Sequence, residues 1–214
     1  MSTIEPQTMH TRHLPLLLAV VAVCQCFAGC QSENPLSDPQ KSKADERLVG
    51  VWRDRSGDAD SYYHVGCAGD KFPACMMRVV LVVHAKKGLV QPPGEFLIFP
   101  TVLRDKTYLN VARGKNDALI SNLLKEHGYA VEAVGDGYTF YKYVFDGDKL
   151  LVYGIDEKAQ QKAIESGKVK GTVTRSEKTV NCKLSDTSED LARFVKEAGD
   201  DLFSTKVMQL ERVK

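Results

Sequence analysis

From residue 47 onward the chain repeats one arrangement: a short run of valine, isoleucine or aromatic residues, then a tight turn, then another such run. "RLVGVWRD" (47–54) and "DSYYHVG" (60–66) flank the turn "RSGDA", a hairpin signal. "MMRVVLVVHA" (76–85) is strongly β-branched and ends at "KKG". "GEFLIFPTVL" (94–103) and "TYLNVAR" (107–113) flank "RDK". "YTFYKYVFD" (138–146) and "KLLVYGI" (149–155) flank "GD", and Asp146-Gly147 is the strongest short hairpin signal in the chain. "GTVTR" (171–175), "TVNCKLS" (179–185) and "TKVMQLERV" (205–213) complete the set.

Three helical patterns interrupt the strands. "NDALISNLLKEHG" sets Leu119, Ile120, Leu123 and Leu124 on one face, starting at Asn116 or Asp117 and stopping at Gly128. "DEKAQQKAIESG" is capped by Asp156 and ended by Gly167. "DTSEDLARFVKEAG" carries Leu191, Phe194, Val195 and Ala198 at helical spacing, and Asp186 with Glu189 reads as a capping box. Many short strands with few helices predict a mostly β fold, an antiparallel barrel with two or three short helices packed on it. Closure would also remove exposed sheet edges. No period of 20–50 residues appears, which argues against solenoids and propellers.

The N-terminus has a different character. A short polar start carrying Arg12 precedes the apolar run "LPLLLAVVAV" (14–23). That run is too short to cross a bilayer core, which takes roughly 20 helical residues, and it suits a secretory signal. Next comes "FAGC", with small Ala28 and Gly29 ahead of Cys30. It resembles the lipobox of bacterial lipoproteins, with Phe27 where leucine is usual. Cys24 and Cys26 follow Val23 and Gln25, which do not suit the peptidase pocket. The resemblance implies that residues 1–29 are removed and that Cys30 is diacylated and anchors the chain in a membrane. Gln31, not aspartate, follows the cysteine, and the sorting pattern of such lipoproteins then implies an outer-membrane protein facing the periplasm.

Residues 30–46 read as the lipidated cysteine and a flexible tether, because "QSENPLSDPQKSKADE" is polar, holds two prolines and lacks apolar periodicity. As a flexible chain it would reach roughly 20–24 Å from the membrane. Residues 47–214 form one domain. Loss of the leader removes Arg12 and Glu5, so the formal charge stays at +1. A neutral balance gives no electrostatic reason to expect nucleic acid as a partner. Export implies an oxidising compartment, and Cys67 and Cys75, flanking "AGDKFPA", are the favoured disulfide, with a bridge from either to Cys182 left open.

"LVGVWR" places Gly50 and Trp52 as a G-x-W at the start of the first strand of the domain, and Arg212 lies on the last. The arrangement resembles lipocalins and related calycin barrels, although no T-D-Y motif stands in the middle of the chain. The resemblance implies that Trp52 closes the barrel base and Arg212 packs across its ring.

No catalytic constellation is visible. H-x-H, H-E-x-x-H and C-x-x-C spacings are missing, so His64, His84 and His127 read as structural and no metal or other cofactor is expected. G-x-S-x-G, P-loop and dinucleotide-binding loops are also absent. The aromatic run of β-like residues is the most suggestive feature, with Phe140, Tyr141, Tyr143 and Phe145 as candidates to line a ligand site. Alternation sets Tyr138 and Phe140 on one face and Tyr141, Tyr143 and Phe145 on the other. The sequence therefore leads to a non-enzymatic envelope binding module for a small apolar ligand. The alternative is a filled barrel that engages or inhibits an envelope protein.

Overall fold

The computed structural model describes residues 31–56, 59–70, 72–85, 94–114, 136–176 and 179–214. The leader, Cys30, the helical pattern at 116–128 and His127 lie outside the described residues. Eleven strands are described: β1 (Gln31–Ser32), β2 (Gly50–Asp54), β3 (Ala59–Cys67), β4 (Met77–Ala85), β5 (Gly94–Leu103), β6 (Lys106–Gly114), β7 (Asp136–Asp146), β8 (Lys149–Gly154), β9 (Gly171–Arg175), β10 (Val180–Leu184) and β11 (Thr205–Arg212). The helices are α1 (Glu157–Glu165) and α2 (Ser188–Ala198).

Eight of these strands close an antiparallel barrel. β2 to β8 pair in chain order, β8 pairs with β11, and β11 returns to β2. The predicted hairpins form at their turns: Asp146 pairs with Lys149 around Gly147, whose φ of 58° suits glycine. Alternation then sorts the side chains. Trp52, Met77, Val79, Ile98, Leu109, Val111, Tyr141, Tyr143, Leu150, Val152 and Leu210 fill the interior.

A second core lies outside the wall. β1 pairs with the early part of β7 and, in parallel, with β10, which pairs with β9. This flange and both helices cover Leu103, Tyr108 and Phe140 on the outer face, packing on them Leu36, Leu184, Leu191, Phe194 and Phe203. α1 begins as expected, with the Asp156 carboxylate accepting from the Ala159 N–H at 2.9 Å. α2 begins one residue later than the sequence suggested: Thr187, not Asp186, caps it by accepting from the Asp190 N–H. Asp186 is buried and accepts from the Lys170 N–H at 2.7 Å, so tertiary contact has taken the carboxylate from the helix end.

Residues 31–46 are not a free tether. Ser32 and Leu36 are buried, the Leu36 N–H donates to Asn110 Oδ1 at 2.8 Å, and the Asn34 amide donates to the Asp186 carbonyl at 2.9 Å. The segment docks through backbone pairing and one leucine, which leave no periodic apolar trace. The expected Cys67–Cys75 bridge is also not formed: Cys67, Cys75 and Cys182 are free thiols. Cys67 ends β3 opposite Met77 and is exposed, while Cys75 is buried and its thiol donates to the Pro39 carbonyl at 3.0 Å. The Pro39 carbonyl, brought in by the docked 31–46 segment, engages the Cys75 thiol in place of a bridge.

Candidate functional site

The barrel base is sealed by the G-x-W segment and the turn before it. Glu46–Leu48 forms a 3-10 turn whose Leu48 enters the interior, and the Trp52 indole N–H donates to the Leu48 carbonyl at 2.7 Å. Arg212 pairs with Trp52 across β2 and β11, and its guanidinium lies 4.2 Å from the ring centroid. The same guanidinium donates to the carbonyls of Val49 (2.9 Å) and Arg47. Gly50 makes room for it: at φ 131°, a Cβ there would stand 2.8 Å from Arg212 Nη1.

Beneath this layer, Asp45 holds the aromatic floor. Its carboxylate accepts from Arg47 Nε at 2.8 Å, from Arg47 Nη2 at 2.7 Å and from the Tyr143 hydroxyl at 2.9 Å. The Arg47 hydrogen bonds, with that of Tyr143, hold its pKa below the usual carboxylate range. Burial, with Asp45 as acceptor, pushes the Tyr143 phenol up. Arg47 also lies over Phe145 at 4.6 Å. Neither Asp45 nor Arg47 was singled out in the sequence, since D-x-R in a polar stretch carries no signal until the chain folds back.

Above the floor is an interior cavity of about 60 Å³, lined by aliphatic and aromatic side chains including Tyr63, Phe96, Leu109, Tyr141 and Met208. A dry apolar cavity of about 150 Å³ takes up benzene, and drug-sized ligands occupy pockets of roughly 300–1,000 Å³. This cavity is far smaller than the space a drug-sized ligand fills. Of the four candidate lining residues, Tyr141 alone borders the cavity; Tyr143 and Phe145 pack in the floor below it. Phe140 does not belong to it: it points outward, into the core beneath α2. An odd–even pattern separates two faces but cannot say which of two apolar faces is the interior.

The β2–β11 junction is the shortest in the ring among the described residues: β2 pairs with β11 at Arg53–Glu211 and Trp52–Arg212, with the Val213 N–H donating to the Val51 carbonyl at 2.9 Å, whereas β8 pairs with β11 from Thr205 to Glu211. Along this seam runs a cleft of about 430 Å³ lined by Arg55, Ser56, Lys206, Val207, Met208, Gln209 and Glu211. The register of β11 shifts between Lys206 and Met208, a bulge, and Val207 is exposed. Sequence could show β2 as short but not that β11 would outrun it.

His64 and His84 do not meet in the interior. Both are exposed on the outer wall, His84 edge-on to Tyr62 with ring centroids 5.4 Å apart. Among the described residues no group of three or more His, Cys, Asp and Glu is placed to hold a metal ion.

No protein-family model, no curated protein and no solved structure matches the chain.

Proposed function

We propose that the chain is a lipid-anchored envelope protein whose barrel is a non-enzymatic interaction module for another envelope protein. Residues 1–29 export it, and diacylated Cys30 holds it at the outer membrane, facing the periplasm. The observation that carries the choice between a ligand carrier and a partner-binding barrel is the interior volume. About 60 Å³ between packed side chains suits a filled barrel. The stack of Arg212 on Trp52, with Gly50 beneath, supports a lipocalin-like base on which such a barrel closes.

The seam between β2 and β11 is the surface such a partner would use. An edge that outruns its neighbour offers backbone donors and acceptors to an extended segment, which is how strand addition recognises peptides. The bulge at Val207 and the charge of Lys206 blunt this edge against indiscriminate pairing. An extended segment with an acidic residue would meet Lys206 and Arg55, both lining the cleft.

A photoreactive residue at Val207, introduced in intact cells, tests this reading. The proposal expects one discrete protein adduct that disappears with Lys206→Glu, and no such adduct from Val102, exposed on the opposite wall of the ring. Equal adducts from both positions, or none from Val207, would refute it.

A further inference from the structure

Cys30 is joined to Gln31 by one peptide bond, about 3.8 Å between Cα atoms, and Gln31 already belongs to the sheet. β1 is held on both edges. Gln31 and Ser32 pair with Thr139 and Tyr138 of β7, and with Lys183 and Leu184 of β10. The Glu33 N–H then donates to the Leu184 carbonyl at 3.0 Å. Ser32 has no exposed surface, and its carbonyl occupies the space where a side chain on Gly137 would begin. An anchor at Cys30 therefore has no slack before the folded domain.

The direction of approach follows from the pairing. β1 and β10 run parallel, so stepping back from Gln31 toward Cys30 is stepping back from Lys183 toward Val180 and the β9–β10 turn. At about 3.3 Å per residue, Val180 lies roughly 10 Å beyond Lys183 along that line. The headgroup region on one side of a bilayer is itself roughly 5–8 Å deep. The hairpin that projects past the anchor presents Val180, 42% exposed, with exposed Thr172, Thr174 and Thr179. Arg175 and Lys183 flank them, their side chains 58% and 41% exposed and paired with Glu165 and Glu33, so the hairpin carries its polar groups charge-balanced beside Val180.

We infer that the β9–β10 hairpin lies on the membrane that Cys30 enters, so that the domain sits flush on the lipid surface. This rests on the lipidation of Cys30 proposed above. The opposite wall, β3, lies four strands from β7 around the ring and faces away from the bilayer.

Tryptophan quenching tests it, because Trp52 is buried at the barrel base and gives a constant background. The lipidated full chain carrying Val180→Trp, and a second carrying His64→Trp on β3, are placed in phosphatidylethanolamine–phosphatidylglycerol vesicles with brominated acyl chains. The expected result is loss of more than half of the added emission for V180W and no loss for H64W. Vesicle-bound protein in which V180W is as bright as in unbrominated vesicles, or in which both variants are quenched alike, overturns the flush placement while leaving the anchor intact. Protein that stays off the vesicles and lacks a diacylglyceryl mass overturns the anchor, and this inference with it.

Discussion

The carbonyl oxygen of Ser32 lies 2.0 Å from where a Cβ would stand on Gly137, and Gly137 holds a φ of 100°. Two segments more than a hundred residues apart in the chain meet there with no room for a methyl group. Gly137→Ala should add about 1–3 kcal/mol of backbone strain before the overlap is counted, and should expel β1 from β7. Hydrogen exchange would read this as loss of protection confined first to residues 31–36. Gly147→Ala, in the β7–β8 turn with open space around it, should leave those residues protected.

Asn110 holds the same segment from inside the fold. Its Oδ1 accepts from the Leu36 N–H at 2.8 Å, and its amide donates to Thr101 Oγ1 at 2.8 Å and to the Phe99 carbonyl at 3.2 Å. Asn110→Ala leaves these buried groups without their partner and should cost about 1–3 kcal/mol in urea unfolding. Cleavage by added protease between residues 37 and 47 should rise with it, since Leu36 would lose its tie.

These two contacts explain what the sequence did and did not disclose. The barrel strands were legible because alternation along "YTFYKYVFD" or "MMRVVLVVHA" writes burial directly into residue order. The docking of 31–46 was not, because Ser32 and Asn34 bind through polar and backbone groups that look the same in a free linker. Asp186 reads as a cap by spacing alone, and only the fold brings the Lys170 N–H to it. The packing of Arg212 across the Trp52 ring was expected from a resemblance, and that contact is present. The seam at Lys206–Gln209 was not, since it depends on how far two distant strands overlap.

Arg212→Ala removes the stack on Trp52 and the bonds to the Val49 and Arg47 carbonyls. The expected cost is about 1–3 kcal/mol, read as a lowered melting temperature. Trp52 is the only tryptophan, so its emission should also move to the red as the base opens to water. An unchanged spectrum with unchanged melting would show that the base does not depend on Arg212.

Asp200 accepts from Lys106 and Lys142, each at 2.8 Å, and these bonds pull its pKa down to about 2 from an ordinary 3.8. A depressed carboxylate stabilises the fold above its unfolded pKa and loses that contribution as pH falls through the folded one. Stability owed to this cluster should thus be intact above about pH 4 and decline toward pH 2. Asp200 is well exposed, so salt should weaken the cluster. In acid titrations followed by circular dichroism, Asp200→Asn should flatten the decline between pH 4 and 2, and an unaltered slope would contradict the assignment.

Thiol reactivity separates the cysteines of the domain. Burial raises the pKa of Cys75, which should stay unmodified by a maleimide until the chain is unfolded, whereas exposed Cys67 should react at once. Equal protection of both, reversed by reductant, would mean the bridge forms after all.

The central claim is that the barrel is filled and works through its surface. Mass spectrometry of residues 31–214 tests it most directly, comparing gently desolvated native protein with the denatured chain. The account predicts the same mass in both, that of the bare polypeptide with its three thiols. Extra mass of a few hundred daltons, carried by the native protein and lost on denaturation, would contradict it and mark a hollow barrel that holds a ligand.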